Sequence, residues 1–295
     1  MVTVEPSTDP AHADPAMVPI VANGVTLRVA TAGPREGRLI IFLHGFPEFW
    51  FCWRKQIPFF AERGFCVWAP DQRGYNQSDK PKARESYRID VLARDVVGLI
   101  DAAGRERAIV VGHDWGAAVA WRLVQDFPER IEKLVIMNGP HPSAMGRLLR
   151  SDAKQRRKSW YMLFLQLPIL PDWLIGRNDF ARFARSLART ARAGTFDGEA
   201  LAHYRAAWRE PGAMKAMLEW YRAIRLRPPR PRHPRVTPPT LIVWGRHDAF
   251  LEPALAELSL AYCDAGRLVV LDEATHWLQV EDADRVNREL AAFLA

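Results

Sequence analysis

Ala108-Ile109-Val110-Val111-Gly112-His113-Asp114-Trp115-Gly116 decides how the chain is read. Four consecutive apolar residues, two of them valine, read as a short strand buried on both faces. Ala117-Ala118-Val119-Ala120 then opens a helical pattern. Glycines on either side permit a sharp strand-to-helix turn that lifts the side chain of Asp114 out of the sheet, the form G-x-nucleophile-x-G. Taken alone, Asp114 also reads as a turn residue or a helix N-cap. The rest of the chain bears on that choice.

Working outward, similar apolar runs occupy residues 39–43, 65–69, 133–137, 240–244 and 267–271, and helical patterns fall at 90–103, 117–126, 253–262 and 284–293. The alternation predicts a βαβ series with a mostly parallel sheet flanked by helices, an α/β fold. Asn23-Gly24 between two strand-like stretches predicts a hairpin with a primed turn. The series breaks once, between residues 137 and 240, where helix-like sequence rich in Arg and Trp ends in the proline-rich stretch 227–235. This predicts an inserted all-helical cap with a stiff return linker. The organisation expected is a loose leader at 1–17, a core at 18–140, a cap at 141–236 and the remaining core at 237–295.

At 295 residues and 48% hydrophobic the chain is too long and apolar for a disordered tail or a disulfide mini-protein. Cys52, Cys66 and Cys263 have neither CxxC nor Cys/His spacing, so no disulfide framework or zinc site is expected and a reducing cytoplasm fits. Residues 1–20 contain no Lys or Arg and lack the pattern of a secretory signal. The nearest approach to a membrane span, residues 160–175, is interrupted by Gln166, Pro168, Pro171 and Asp172. The net charge of +7 is concentrated: residues 147–235 hold 20 Lys/Arg against 7 Asp/Glu, a local +13, which leaves −6 for the rest. Arg182, Arg185, Arg189 and Arg192 stand at helical spacing among apolar residues, and no nucleic-acid motif accompanies them. We read them as a solvated helix face, with no nucleic-acid partner.

In an open α/β sheet the reactive groups lie just past the carboxyl ends of the strands. His44-Gly45-Phe46-Pro47-Glu48 follows the run at 39–43, and the backbone N–H of Phe46 can pair with that of Trp115 to hold an oxyanion. An ordinary Gly-Pro turn is the alternative. Gly245-Arg246-His247-Asp248 and Ala274-Thr275-His276-Trp277 follow the last two runs, so nucleophile, acid and histidine occur in the chain order of a hydrolase triad: Asp114, Asp248, His276. Asp272 and Glu273 compete as partners of His276 but sit too close to it in sequence to face it from a separate loop. His44, His113, His141 and His247 abut turns and read as structural hydrogen-bonders. Asp71, Arg73 and Asp79 read as structural ion pairs near the site.

With these motifs together the chain resembles an epoxide hydrolase of the α/β-hydrolase superfamily, the soluble bacterial type with an aspartate nucleophile, from about Val18 to the C-terminus. The resemblance lies in residues 44–50 (HGFPEFW), residues 71–81 (DQRGYNQSDKP) and residues 112–116 (GHDWG), with Ser159-Trp160-Tyr161, Phe164, Gln166 and Pro168 and then Glu219-Trp220-Tyr221-Arg222 in the insert. It implies that Tyr161 and Tyr221 are the two ring-opening tyrosines. The alternative for both is an amphipathic core residue with a wet tip.

A lipophilic epoxide would be hydrolysed to a vicinal diol through an ester at Asp114, with His276 and Asp248 activating water and the Phe46 and Trp115 amides holding the oxyanion. Phe46, Trp115, Phe164 and Trp277 would line an apolar pocket. None of these steps calls on a metal or an organic cofactor. A homodimer through the cap is the expected assembly. A halide-displacing enzyme uses the same three residues, but its second halide donor is often an Asn where this chain has Phe46. A non-catalytic binding protein on the same fold would not need the charge partners. A serine esterase is disfavoured because the chain has no Gly-x-Ser-x-Gly.

Overall fold

Asn23 and Gly24 hold φ of 48° and 76°, the left-handed values that a two-residue primed turn needs. They join strands β1 (Ala16–Ala22) and β2 (Val25–Ala32) in an antiparallel hairpin. A computed structural model describes residues 15–295. The expected leader lies outside the described residues up to residue 14, and by Ala16 the chain is already in a strand. The remaining strands are β3 (Leu39–Leu43), β4 (Cys66–Pro70), β5 (Ala108–His113), β6 (Ile131–Met137), β7 (Thr240–Gly245) and β8 (Gly266–Leu271). They form one eight-stranded sheet in the order β1-β2-β4-β3-β5-β6-β7-β8. From β4 to β8 every neighbouring pair is parallel, while β2 runs antiparallel to both of its neighbours.

The two faces of the sheet are read out by alternate residues, as strand pleating requires. Leu39, Ile41, Leu43, Val110, Leu134 and Ile136 pack with α2 (Ile89–Ala102) and α3 (Trp115–Asp126) on one face. Ile40, Phe42, Ile109, Val111, Val135 and Met137 face the other side, towards Ile57 and Phe60 of α1 (Gln56–Ala61) and towards the C-terminal helix. Because both faces are covered, the central strands can be continuously apolar, which is why their sequence is legible as runs rather than as alternation.

Between β6 and β7 the chain forms seven helices: α4 (Pro142–Ser151), α5 (Ala153–Lys158), α6 (Trp160–Phe164), α7 (Leu170–Gly176), α8 (Ala181–Arg189), α9 (Gly198–Arg209) and α10 (Ala213–Ala223). After β7 come α11 (Ala254–Leu260), α12 (Leu278–Glu281) and α13 (Ala283–Leu294). Two buried indoles fasten the inserted helices to the core. Trp208 donates to the Pro47 carbonyl at 2.7 Å and Trp220 to the Arg73 carbonyl at 3.0 Å. Arg182, Arg185, Arg189 and Arg192 are all exposed.

One expectation is corrected. Of Asp71, Arg73 and Asp79, only Arg73 forms an ion pair among the described residues, with Asp95 at 2.6 Å. Asp71 instead accepts from the Trp50 amide and the Asn76 side chain, and Asp79 from the Thr26 amide. Both carboxylates tie this loop to backbone amides of other segments. Burial pushes the Asp71 carboxyl up to about 7, against its hydrogen bonds and Lys80.

The elbow depends on close backbone approach. A Cβ at Gly116 would lie 2.1 Å from the Leu43 carbonyl oxygen, with only backbone atoms around it. Gly116→Ala is expected to cost at least about 3 kcal/mol in urea unfolding or to prevent folding. Gly146→Ala on α4, where the nearest atom is the end of Arg150 at 3.6 Å, should be neutral or gain up to about 1 kcal/mol. Equal stabilities for the two variants would contradict this account of the elbow.

Candidate active site

Asp114 stands between β5 and α3 at φ 49° and ψ −115°, a strained backbone held by its surroundings. Its Oδ1 accepts the Phe46 amide at 2.9 Å, and its Oδ2 lies 3.6 Å from His276 Nε2, an ionic contact longer than a hydrogen bond. His276 Nδ1 donates to Asp248 Oδ2 at 2.7 Å. Three strand ends, after β5, β7 and β8, thus converge on one imidazole. Asp272 and Glu273 are solvent-exposed, and Asp272 pairs with Arg246 instead.

Asp248 is fully surrounded by donors. Its Oδ1 accepts the amides of Phe250 and Leu251 at 2.7 and 3.0 Å, and its Oδ2 also accepts Asn138 Nδ2 at 2.5 Å. Every lone pair that water would solvate thus has a partner. Burial alone would lower the pKa of His276, but the charge of Asp248, the hydrogen bond to it and the nearby Asp114 carboxylate raise it from the usual 6.5 to about 10. Burial would likewise raise Asp114, yet the close ionic contact with His276, with His113 and the Phe46 amide, holds it below the ordinary carboxylate value. The two neighbouring acids thus favour the protonated form of His276, and His276 in turn favours the ionised form of Asp114.

Of the other histidines expected as structural hydrogen-bonders, His44, His113 and His141 have structural roles. His44 Nε2 accepts the Gln72 amide at 3.0 Å, and burial lowers its pKa to about 4, so it is neutral. His113 bridges Glu48 Oε2 and the backbone carbonyl of His276, each at 2.8 Å. It fixes the main chain that carries the base. His141 stacks on Tyr262 and, lowered by burial to about 4, is also neutral. His247 is exposed.

Above Asp114 lies a cavity of about 240 Å³ lined by Phe46, Tyr161, Phe164, Tyr221, His276 and Trp277, among others. The two tyrosine rings, from α6 and α10, are 6.2 Å apart. Burial raises both phenols, with nearby Asp114 adding to the effect, so both remain protonated donors. Of the four residues expected to line the pocket, Phe46, Phe164 and Trp277 do so, whereas the Trp115 side chain does not. It packs edge-on against Tyr221 at 5.2 Å and Trp220 at 5.6 Å, so it supports a cap tyrosine instead of meeting a guest. Phe250 was not anticipated. Its ring lies between His276 at 5.0 Å and Tyr161 at 5.5 Å.

Three further residues hold the site without touching the cavity. Asn138, directly after β6, donates to Asp248 and accepts the Gly245 amide at 2.7 Å, and its place at a strand end was a readable signal. Buried Glu48 ties His113 to the Gly45 amide and to Gln279. Gln155 on α5 donates to the Phe250 carbonyl at 3.0 Å and to Ser159 Oγ at 2.9 Å, and accepts the Glu252 amide at 2.8 Å. Nothing in the local pattern of a basic helix marks Gln155.

Residues 38–283 match the family pattern described as the alpha/beta hydrolase fold. The AB hydrolase superfamily protein YfhM of Bacillus subtilis (strain 168) is 43% identical, covering 92% of this chain and 95% of its own. Epoxide hydrolase 4 of Mus musculus is 38% identical over 97% of this chain and 81% of its own. Among solved structures, the epoxide hydrolase of Bacillus megaterium in complex with an inhibitor superposes with a TM-score of 0.85 at 33% identity, covering 94% of this chain and 99% of the other.

The charge arrangement makes a direct prediction. His276, raised to about 10, contributes stability fully below pH 6.5 and loses that contribution as pH rises through about 10. Asp114→Asn removes one of the two carboxylates, so NMR titration of the imidazole should show its pKa fall while Asp248 still keeps it above the unfolded value. An unchanged pKa in that variant would mean that Asp114 and His276 are not coupled.

Proposed function

The chain belongs to the alpha/beta hydrolase fold family and, within it, to the epoxide hydrolases; from that membership we propose that it converts lipophilic epoxides to vicinal diols through an ester at Asp114. The observation that carries this reading is the double engagement of Asp114: one oxygen rests on a backbone N–H while the other faces His276, beneath two tyrosines that line the same cavity. An oxygen already in the oxyanion hole becomes the ester carbonyl. The other oxygen is the nucleophile.

Asp114 Oδ2 attacks a ring carbon of the epoxide, the carbon–oxygen bond of the ring breaks, and the departing oxygen takes a proton from Tyr161 or Tyr221. Phenols that burial keeps protonated hydrogen-bond the ring oxygen before attack and supply the proton as charge develops, a contribution on the order of 10² to 10⁴ in rate. The tyrosinate recovers its proton from the site, and the imidazolium of His276 is the proton store. Once Asp114 is esterified its negative charge is gone, one of the two interactions that raise His276 disappears, and the imidazole is left neutral. It then removes a proton from water, and the oxygen of that water attacks the ester carbonyl. The Phe46 and Trp115 amides hold the tetrahedral oxyanion on Oδ1; on collapse the ester carbon–oxygen bond breaks, the leaving oxygen takes a proton from His276, and the hydroxyl proton of the new Asp114 carboxyl returns to His276, restoring carboxylate and imidazolium as the diol leaves. Atoms and charge balance to epoxide plus water giving diol.

The lining supports an apolar guest, since Phe164, Leu165, Leu187 and Phe250 surround the reacting groups. We place the protein in a reducing cytoplasm, on three cysteines that are all free and buried. Among the described residues no helix is long and apolar enough to cross a membrane.

His276→Ala should still form the ester but fail to hydrolyse it, so intact-mass spectrometry should find the protein heavier by one substrate, with the adduct on Asp114. An unmodified mass after prolonged incubation would count against the two-step scheme. Tyr161→Phe and Tyr221→Phe should each slow ring opening roughly 10²-fold in single-turnover kinetics, and the double variant should be nearly inert towards epoxides. Unchanged epoxide turnover in the double variant, joined to bromide release from 1-bromobutane, would move the reading to a halide-displacing site.

A further inference from the structure

The run from Trp160 to Ile175 contains one charged residue, Asp172, and turns much of its apolar surface outward. Trp160 is 64% exposed, Ile169 79% and Trp173 56%, and Leu163, Leu167 and Leu170 are exposed beside them. With Ile224 at the end of α10, this segment holds seven of the eight large apolar side chains that are exposed among the described residues. Single exposed hydrophobics need no explanation, but a concentration of this kind on one face does. Two side chains bind the end of α10 to the run: Arg225 donates to Gln166 Oε1 at 2.8 Å and Arg222 to the Leu167 carbonyl at 3.0 Å.

Arginines stand beside this face. Arg177 lies over the Trp173 ring at 4.4 Å, while Arg225, Arg227 and Arg230 are exposed on the return segment. Asp172, the only acid in the run, is engaged by Arg222. We propose that the face built by α6, α7 and the end of α10 docks on an anionic lipid bilayer. Bulky aliphatic and indole side chains rimmed by guanidinium groups suit the headgroup boundary, where apolar groups enter about 5–10 Å and arginines meet phosphate. A second copy is the weaker occupant, because the local excess of +13 between residues 147 and 235 would face its equal across such an interface.

The face also adjoins the cavity. Trp160, exposed on the outside, lines the same pocket as Phe164 and Asp114, so α6 has one side on the bilayer and the other at the reacting groups. A lipophilic epoxide dissolved in the bilayer then reaches Asp114 without crossing bulk water. That consequence rests on the proposed activity; the docking does not.

The experiment reads docking without substrate. The full chain is sedimented with vesicles of phosphatidylcholine alone, or of phosphatidylcholine with about 30% phosphatidylglycerol, at about 150 mM salt, where the Debye length is about 8 Å. At least about tenfold stronger partition onto the anionic vesicles is expected, weakening as salt rises. The double variant Ile169→Glu/Trp173→Glu should lose that binding, and Arg177→Glu/Arg227→Glu should weaken it. Turnover of a small water-soluble epoxide without vesicles should stay unchanged in both. Absence of binding to anionic vesicles, or undiminished binding by both variants, overturns the proposal. So does a wild-type dimer that Ile169→Glu/Trp173→Glu converts to monomer in analytical ultracentrifugation, since the face would then belong to a second copy. Binding as expected by a protein with no epoxide turnover would leave the docking standing and remove the substrate reading.

Discussion

A histidine held between two acids, largely out of water, is the constraint around which this molecule is arranged. His276 reaches Asp248 at 2.7 Å and Asp114 at 3.6 Å, and none of the three would keep its charge in a buried place alone. The fold supplies what solvent would have supplied. Amides of Phe250 and Leu251 and the Asn138 side chain solvate Asp248, and the Phe46 amide solvates Asp114. The elbow at Gly112–Gly116 exists to bring the second of these carboxylates within reach of donors on a different strand end. Gly116 lies against the Leu43 backbone and Gly112 against the backbone of Gly116 and Ala117, which explains why both flanking positions are glycine.

Holding the charges also couples cap and core. Gln155, from a helix of the insert, bonds both to the loop that presents Asp248 and to Ser159 at the start of the tyrosine-bearing segment. Lys158 adds a bond to the Asp248 carbonyl at 2.8 Å and an ion pair with Glu252 at 3.2 Å. Phe250 on the same loop touches the base on one side and Tyr161 on the other. The proton donors above the cavity and the base below it are thus set by one connected structure, and a displaced cap would disturb the acid loop as well as the pocket roof.

The sheet was legible because its strands are buried on both faces, so each appears as a run, and the elbow was legible because two glycines bracket one acid. Asp248 and His276 could be found from their positions after the last two runs. Residues that act across long sequence separations left no such mark. Gln155 meets Phe250 95 residues away, and Glu48 meets Gln279 231 residues away, pairings that no period or spacing encodes. The same limit explains Asp71 and Asp79, whose composition suggested ion pairs but whose carboxylates serve nearby backbone amides. It also explains Trp115, whose position in the elbow motif says nothing of the direction its ring takes. The apolar run at 160–175 was visible as composition, while its outward orientation depends on how the cap helices pack.

The central claim is that Asp114, rather than a water molecule, makes the first bond to substrate carbon. A single turnover in water enriched in oxygen-18, with enzyme in excess over epoxide, tests it most directly. The account predicts an unlabelled diol, because its new oxygen comes from the Asp114 carboxylate, and label in Asp114 after peptide digestion and mass spectrometry. Label in the diol from the first turnover, with Asp114 unlabelled, would contradict the account.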